Sequence, residues 1–410
     1  MAAKRWKGGA QDFPHVQTVT VTAYAAATTY KLTINNKAVS VLGSAAATAD
    51  VNGVATALAA AWNGSPLPET ADAKATSNAA VVTLSSTPGV PLPGLASSVS
   101  GGTGTIGAVT QVQAATGHWH WDNAGNWDAG AIPAAGDDVY LDFTSDEIKY
   151  GLAQSLVSIN SLTVPSSFTG KLGLPDNSTS GYVEYRDTEL QIGVTTLIVG
   201  GGPGQSSPLI RINGGSVAST VRVWSTASTA ETNRMSFRWR GTNAANVFEA
   251  YGGSCSIAIE GGRTANVSGG LKIAGANVRV GQGVTINTLT QSGGGVELNS
   301  NVTALTKNGG DTVVYGTTAI ASLTADAGAT YWRSQGGIST ALILGGGAAI
   351  DFSGDLRPKT VTPEVQMYAG SSLTDPGGVV TFTAGVRLNR CDIREVTLAI
   401  GQNKKLTIAP

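Results

Sequence analysis

The chain has 410 residues, of which 13% are charged, and its formal net charge is −1 at pH 7. So low a charged fraction excludes an intrinsically disordered protein, and the near-zero balance argues against nucleic-acid binding, which usually needs a basic stripe. The sequence contains no run of eighteen apolar residues, so we expect no membrane-spanning segment. Its 54 glycines are about twice the usual share and favour short strands joined by tight turns.

Residues 1–16 are predicted to form a basic N-terminal arm. Lys4, Arg5 and Lys7 surround Trp6, and arginine and tryptophan are common anchors of protein interfaces. We therefore predict that Lys4, Arg5, Trp6 and Lys7 bind a partner, with a solvated tail as the alternative. No apolar segment of the kind found in signal peptides follows these residues, so we expect folding without export.

Residues 17–87 are predicted to form a small α+β module of order β-β-β-α-β-β. Its five predicted strands cover 17–22, 30–35, 37–42, 71–77 and 79–85. Apolar residues recur at helical spacing from Val51 to Trp62. Thr48 or Asp50 can cap the start of this helix, and Asn63-Gly64 ends it.

The segment 88–116 is predicted to be a linker, because prolines stiffen its start and serine and glycine loosen its middle. The remainder, 117–410, is predicted to be a right-handed parallel β-helix with a tryptophan-rich N-terminal cap. The prediction rests on a loose repeat of an aliphatic residue, two small residues, a leucine and a threonine. Its copies begin at Ile286, Val302, Ile320 and, in a slipped form, Ile338. A period of about 18 residues with glycine breaks predicts roughly 14 coils, on the order of 70 Å in length.

The opening of this region is rich in tryptophan. Trp119, Trp121 and Trp127 lie within nine residues of one another. An open β-helix has raw sheet edges that invite unwanted pairing, so we predict that these side chains plug the N-terminal end. The polar tail 401–405 is predicted to serve the other end.

Two patterns near this opening could bind a metal ion. On a strand, His118 and His120 would share one face, with Asp122 or Asp138 as a further ligand. Asp137 and Asp138 are adjacent, so on a strand they would point to opposite faces and could not act together. Exposed histidines on a capping strand and an aspartate that caps a turn are the simpler interpretations. We therefore predict no metal and no other cofactor.

The segment 234–240 alternates arginine with apolar residues. Arg234, Arg238 and Arg240 would face one side of a strand, and the apolar side chains the other. This arginine row is the second set of predicted partner-binding residues. It could hold an acidic protein surface or a sugar acid, helped by Trp224. The alternative is an ordinary solenoid strand with an aromatic core face and a solvated basic face.

Catalysis by paired carboxylates is the enzymatic alternative. Glu184, Asp187 and Glu189 are close in sequence, and Asp187 and Glu189 would share one face of a strand. Cleavage of a polysaccharide needs two acids about 5–10 Å apart. Because acids are few overall and nothing marks these three as special, we predict no enzymatic activity. The glycine-rich segment 200–205 lacks the lysine and hydroxyl of a phosphate-binding loop and is predicted to be a turn.

Two segments resemble known families. The tryptophan-rich opening, followed by Pro133-x-x-Gly136-Asp137-x-Val139, resembles the first coil of bacterial and phage surface β-helices. The module around 29–41 looks like small modules of tailed-phage virion proteins in its order of strand, asparagine turn, strand and alanine-rich helix. Together these resemblances imply a structural virion protein of a tailed phage.

The resemblance implies that the protein decorates or cements the capsid and displays its β-helix on the virion surface, after synthesis in the host cytoplasm. The implied partners are the major capsid or tail proteins, and the implied oligomer is a homotrimer. A host surface glycan could be a further ligand; nucleic acid and membranes are not expected. A tailspike or fibre that binds or cleaves host polysaccharide is the second hypothesis. A bacterial surface adhesin is the third, disfavoured by the lack of an export signal.

Overall fold

The structure is a computed structural model that describes residues 2–178, 180–227 and 235–401, and the backbone of 408–409. Strands account for 47% of the chain and helix for 7%, and most strands form a parallel β-solenoid of about 12 turns. This confirms the predicted all-β solenoid with a small N-terminal module. Within the described residues, no helix is long and apolar enough to cross a membrane.

The N-terminal part of the chain contains nine strands and one α-helix. Its elements are β1 (Ala3–Arg5), β2 (Val16–Ala23), β3 (Thr29–Ile34), β4 (Lys37–Leu42), α1 (Val51–Asn63), β5 (Ala73–Asn78), β6 (Val81–Ser86), β7 (Ala96–Ser100), β8 (Thr105–Ile106) and β9 (Thr110–Gln113). The predicted order of five strands around one helix is confirmed. Asp50 caps α1, since its Oδ1 accepts a hydrogen bond from the Gly53 N–H at 2.7 Å. Leu58 and Trp62 of α1 are buried in the core of the module.

The segment 88–116 is not a linker, because it adds three strands to the module. β7 pairs with β3, while β8 and β9 pair with β2, all antiparallel. The module therefore has two small sheets, and it continues to the end of β9. These added strands consist largely of serine, threonine and glutamine. They carry little of the apolar alternation that would have predicted them.

The rest of the chain forms the solenoid, in which each strand stacks on a strand of the preceding coil. Its strands are β10 (Asp138–Tyr140), β11 (Ala153–Val164), β12 (Leu190–Val199), β13 (Ile210–Asn213), β14 (Thr220–Val223), β15 (Phe237–Arg240), β16 (Val247–Ala250), β17 (Ser254–Ile257), β18 (Ala265–Asn266), β19 (Gly270–Ile273), β20 (Asn277–Val280), β21 (Val284–Gln291), β22 (Gly295–Leu298), β23 (Val302–Lys307), β24 (Asp311–Gly316), β25 (Ile320–Ser334), β26 (Ile338–Asp351), β27 (Lys359–Val361), β28 (Val365–Met367), β29 (Ser372–Asp375), β30 (Val380–Phe382), β31 (Val386–Leu388), β32 (Thr397–Ile400) and β33 (Ile408–Ala409). Short 3-10 helices lie at Gly43–Ala45, Pro68–Asp72, Ala124–Asn126 and Ile393–Glu395.

The strand register confirms the sequence repeat. The four aliphatic residues that begin its copies stack as one column, and its leucines stack as a second column: Leu289, Leu305, Leu323 and Leu342. The slipped fourth copy contains one extra residue, because Ile320 pairs with Ile338 but Ser322 pairs with Ala341. A β-bulge in β26 absorbs that residue, so the leucine returns to the core.

Coil length varies more than the repeat predicted. Paired residues are 16 or 18 positions apart between β21 and β25, but Val221 and Phe248 are 27 apart. Leu162 and Leu197 are 35 apart, because a long segment separates β11 from β12. Longer coils explain why the turns number about 12 rather than 14. At about 4.8 Å per rung, the solenoid is roughly 58 Å long instead of 70 Å.

The basic arm belongs to the first coil of the solenoid. β1 pairs in parallel with β10, and Trp6 is only 3% exposed in the solenoid core. The chain then enters the module and returns beside its entry point, where the Phe13 N–H donates to the Thr116 carbonyl at 2.7 Å. The module is therefore an insertion into the cap of the solenoid rather than a domain that follows a free arm.

The predicted tryptophan plug is confirmed for two of its three members. Trp121 and Trp127 are fully buried, and both Trp6 and Trp121 pack edge-on against Trp127. Trp119 is half-buried beneath Lys149, whose ammonium lies 4.4 Å from the ring centroid. The side chains do not alternate as on a strand, because residues 118–122 form a turn. The prediction that His118 and His120 share one face of a strand is therefore wrong. Of the tail 401–405, residues 402–405 lie outside the described residues.

Candidate functional site

One outward-facing surface of the solenoid combines charged, aromatic and hydroxyl side chains. We call it the lateral face and define it by the outward residues of β14, β16, β19, β21, β23 and β25, with the residue that follows each of the first three strands. One column in register along this face consists of Arg222, Glu249, Lys272, Thr290, Thr306 and Thr324. Parallel stacking brings together side chains that are distant in sequence, at a spacing of about 4.8 Å.

The first three residues of this column form a charged ladder. The Arg222 Nε donates to Glu249 Oε2 at 3.2 Å, and the Lys272 Nζ donates to Glu249 Oε1 at 2.8 Å. The hydrogen bond from Lys272 lowers the pKa of Glu249; partial burial opposes this, and Arg222 reinforces it. The Arg222 and Lys272 side chains are 43% and 61% exposed, whereas Glu249 is 11% exposed. The ladder thus presents two accessible cations around one shielded carboxylate.

An exposed aromatic pair lies beside this ladder. Trp224 and Tyr251 stack with ring centroids 4.3 Å apart and planes within 12° of parallel. They remain 49% and 39% exposed, so two adjoining aromatic rings face the solvent. The Tyr251 hydroxyl donates to Glu249 Oε2 at 3.2 Å, which ties the ring to the charged ladder.

Of the residues on this surface, the sequence predicts a functional role for Trp224 alone. Trp224 was expected to assist the arginine row; the structure instead stacks it on Tyr251. A sequence signal for the surface does exist. Three segments share one pattern, in which an apolar, a charged and a second apolar residue are followed by the first residue after the strand. They are Val221-Arg-Val-Trp224, Phe248-Glu-Ala-Tyr251 and Leu271-Lys-Ile-Ala274. Unequal spacing of 27 and 23 residues conceals this repeat.

The predicted arginine row is largely covered rather than solvated. Arg238 is 6% exposed and contacts Asp176 and Glu260, with Nη1 to Oδ2 and Oε1 distances of 3.1 and 2.6 Å. Arg240 contacts Glu189, with 2.7 Å between Nε and Oε2. Arg211, which pairs in register with Arg238, is 2% exposed. Its Nη1 lies 2.5 Å from Asp176 Oδ1. Arg234 lies outside the described residues.

We call this second set of charges the covered strip, consisting of Arg211, Arg238, Arg240, Asp176, Glu189 and Glu260. Phe237 and Trp239 face the core as predicted. The expectation of a solvated basic face on β15 is wrong, because carboxylates from other parts of the chain cover Arg238. Burial opposes ionisation of Asp176, but Arg211 and Arg238 outweigh that effect and lower its pKa.

The acids considered for catalysis occupy separate environments. Both oxygens of Glu184 are engaged by Arg186, at 2.8 Å from Nε and 3.0 Å from Nη2. Glu189 belongs to the covered strip, and Asp187 accepts a hydrogen bond from Gln191 Nε2 at 2.9 Å. β12 begins only at Leu190, so Asp187 and Glu189 do not share a strand face. The chain thus binds two of these three carboxylates to arginine.

Arg186 instead joins the module to the solenoid. Its guanidinium lies over the rings of Tyr150, Tyr182 and Tyr185, and its Nη2 donates to the Tyr182 hydroxyl at 2.6 Å. The Tyr182 hydroxyl donates to Asp72 of the module. Burial raises the pKa of Asp72 and raises that of Tyr150 to about 12. This cluster is a polar contact between the two parts of the molecule.

Three of the four predicted arm residues are also engaged within the chain. Lys4 is buried, Arg5 pairs with Asp142 and lies over the Tyr140 ring, and Trp6 is in the core, whereas Lys7 is exposed. The burial of Trp6 removes the aromatic anchor on which the prediction of a partner-binding arm depended.

The histidines have separate partners. His118 Nδ1 contacts Asp12 at 2.8 Å, and His120 Nε2 contacts the Gly89 carbonyl at 2.8 Å. Asp137 caps a turn through the Ala134 N–H at 3.0 Å, while Asp138 accepts hydrogen bonds from Ser161 and Asn160 that lower its pKa. Across the described residues, no three His, Cys, Asp or Glu side chains are grouped to hold a metal ion.

Comparison with known protein families, with curated proteins and with solved structures found no match.

Proposed function

We propose that the protein is a non-enzymatic structural protein of a tailed-phage particle, which decorates the capsid or tail and displays a rigid β-solenoid. The observation that carries the non-enzymatic part is the pairing of acids with arginines: Glu184 with Arg186, and Glu189 with Arg240. A glycosidase needs two carboxylates free to reach one glycosidic bond. The phage context rests on the resemblance of the tryptophan-rich opening and of the module.

The geometry also supports a display role. The module is inserted into the cap of the solenoid and held by the Arg186 cluster, so a partner that binds the module fixes the direction of the rod. A parallel solenoid with one continuous core is a stiff support for whatever its faces bind. We propose that the module docks on the particle and that the lateral face points away from it. The homotrimer implied by the resemblance stays a prediction, which light scattering of the purified protein can check.

Localisation on intact particles tests this function. Cryo-electron microscopy is expected to find the solenoid on the particle surface, with copies countable from the map. Hundreds of copies on the capsid lattice would indicate decoration, and a few copies at the tail tip would indicate a fibre. Absence from the particle would contradict the proposal.

An internal deletion tests the docking role of the module. Residues 16–113 can be replaced by a short glycine-serine link, because Phe13 and Thr116 are bridged beside the insertion point. The deleted protein is expected to keep the strand signal of the solenoid in circular dichroism but to lose incorporation into particles. Normal incorporation of a folded deletion variant would refute docking through the module.

A second function, binding of a host surface polysaccharide, is favoured by the exposed stack of Trp224 and Tyr251. Sugar rings present an apolar C–H face that packs on aromatic rings, and hydroxyl groups that need hydrogen-bonding partners. The lateral face offers both. Incubation with host capsule or lipopolysaccharide tests it, and a protein that retains neither polymer would contradict it.

A further inference from the structure

The stack of Trp224 and Tyr251 is closed at one end and open at the other. A Cβ atom at Gly201 would lie 3.8 Å from the Trp224 side chain, so the glycine turn packs beside that ring. At the opposite end, the Ala274 N–H donates to the Ala250 carbonyl, which places Ala274 one rung beyond Tyr251. Ala274 and the next residue, Gly275, are small and exposed.

The open end has room for one more ring. Coils of a parallel solenoid repeat at about 4.8 Å, and the two aromatic rings already follow this spacing at 4.3 Å. A third aromatic residue at position 274 would continue the stack, but the chain has alanine there. Among the described residues, the side chain at this position is the small Ala274, so a flat ligand can lie above Tyr251.

The charges beside this position favour an anionic ligand. Lys272 is on the same rung as Ala274, and its ammonium has three N–H donors, one of which Glu249 takes. Arg222 and Lys272 outnumber Glu249, so this part of the lateral face has a local charge of about +1. The hydrogen bond from Tyr251 to Glu249 holds ring and ladder in one arrangement, which lowers the entropic cost of binding.

We propose that this position is a carbohydrate subsite: the apolar face of a pyranose ring stacks on Tyr251, and a carboxylate of the same sugar binds Lys272. The ligand is an acidic polysaccharide built from uronic acids or similar sugars. This inference rests on the polysaccharide-binding function proposed above and gives it a location and a sugar class. The column continues from Lys272 through the hydroxyls of Thr290 and Thr306, which lie on successive rungs and are exposed. An extended chain can therefore lie along the axis of the solenoid.

A nucleobase would also stack on Tyr251, but the surroundings favour a sugar. Sites for single-stranded nucleic acid line a continuous basic groove along the phosphates. Here a carboxylate sits between the two cations, and the residues that follow are neutral threonines. Single-stranded DNA is therefore a comparison ligand in the test rather than an expected one.

The test measures binding of the full chain to oligogalacturonate by calorimetry, beside a neutral gluco-oligosaccharide of equal length and a single-stranded oligonucleotide. We expect oligogalacturonate to bind most tightly, and more weakly as salt is raised. Tyr251→Ala is expected to weaken binding about tenfold, the loss of one ring stack, while Tyr251→Phe keeps most of it. Lys272→Gln is expected to remove the preference for the acidic sugar over the neutral one.

A bulky side chain at position 274 would fill the proposed subsite, and a matched control variant tests the effect of the added bulk. Ala274→Trp would extend the aromatic stack into the subsite and is expected to abolish binding. Ala131→Trp adds the same bulk at an exposed position near the N-terminal cap, away from the lateral face, and is expected to leave binding within about twofold. Near-ultraviolet circular dichroism and the unfolding midpoint confirm that each variant is folded.

The outcomes separate the subsite from the broader function. If the wild-type chain binds neither oligosaccharide, polysaccharide binding itself is refuted. If it binds but Tyr251→Ala and Ala274→Trp bind equally well, the function stands and the subsite is refuted. Equal affinity for acidic and neutral sugars refutes the charge assignment. Tighter binding of the oligonucleotide refutes the sugar as ligand.

Discussion

The covered strip and the charged ladder of the lateral face contain the same types of residue but have different roles. Both pair arginines on stacked strands with carboxylates. In the covered strip, Arg211 and Arg238 are 2% and 6% exposed; in the ladder, the Arg222 and Lys272 side chains are 43% and 61% exposed. Charges that are removed from water must find partners within the chain, whereas exposed charges can still meet a ligand.

The difference arises from what lies over each strip. Asp176 belongs to the long segment between β11 and β12, and it contacts both Arg211 and Arg238. The charged ladder, which begins on β14 and β16, instead lies beside the exposed ring of Trp224. One coil thus has an insertion that returns over its own surface, whereas no described residue covers the ladder in the same way. We conclude that the covered strip contributes to the stability of the solenoid, and that the ladder is where binding is expected.

The largest effect is expected at Asp176. Asp176→Asn removes a negative charge from two nearly buried guanidinium groups while keeping the shape of the side chain. We expect the free energy of unfolding to fall by about 3 kcal/mol, the low end for a broken buried ion pair. Urea unfolding measures this. The matched control is Asp187→Asn, an exposed carboxylate close by in sequence, which is expected to change stability by less than about 0.5 kcal/mol. Equal effects of the two variants would show that the covered strip is not a stability element.

An interior cation extends the comparison with an effect of similar size. Lys307 is fully buried; its Nζ donates to the Ala329 carbonyl and to Thr330 Oγ1. Burial lowers its pKa from 10.5 to about 8, partly offset by Asp311. Between pH 8 and 10.5 the unfolded chain therefore binds more protons at this residue than the folded chain. The contribution of Lys307 to stability is expected to rise across that window, by on the order of 3 kcal/mol in total.

The variant Lys307→Met isolates this contribution. It is expected to remove the rise in stability between pH 8 and 10.5, because methionine has no proton to lose. Lys37→Met, at an exposed hairpin position, is the control and is expected to keep the rise. Urea unfolding at several pH values gives both profiles. A rise that persists unchanged in Lys307→Met would assign it to another buried lysine such as Lys359, whose pKa burial also lowers. Cys255 and Tyr150 cannot cause a rise, because burial raises their pKa values and their contribution to stability falls as pH increases.

A smaller effect is expected at Glu249, in the ladder itself. Glu249→Gln removes the carboxylate shared by Arg222 and Lys272, and we expect a loss of about 1 kcal/mol at pH 7, because both partners are well solvated. The pKa of Glu249 is lowered in the folded protein. Its contribution is therefore present above the unfolded pKa and is lost as pH falls through the folded pKa. Unfolding of wild type and variant is expected to converge in acid; a difference that is constant with pH would contradict an ionic contribution.

The parts of this fold that sequence could predict are those in which contacts follow a regular spacing. The leucine column from Leu289 to Leu342 is visible because its coils differ by at most a few residues, and α1 is visible because its contacts are local. The stack of Trp224 on Tyr251 was not predicted, since a coil of 27 residues hides which side chains share a rung. Trp6 was assigned to a free arm for a related reason. Its partner Trp127 is separated from it by the whole inserted module, and no local pattern reports such a contact.

The smallest effect on stability is expected at Lys272. This residue distinguishes the charged ladder from the covered strip most clearly. Lys272→Gln removes an exposed ion pair with Glu249, so the free energy of unfolding is expected to stay within about 0.5 kcal/mol of wild type. The same variant is expected to lose the preference for an acidic sugar. If the charged ladder is open to solvent, its residues are expected to contribute to binding but not to stability. If Lys272→Gln instead destabilised the protein as much as Asp176→Asn, the ladder would be a second structural strip, and the argument for a ligand at Ala274 would lose its charge component.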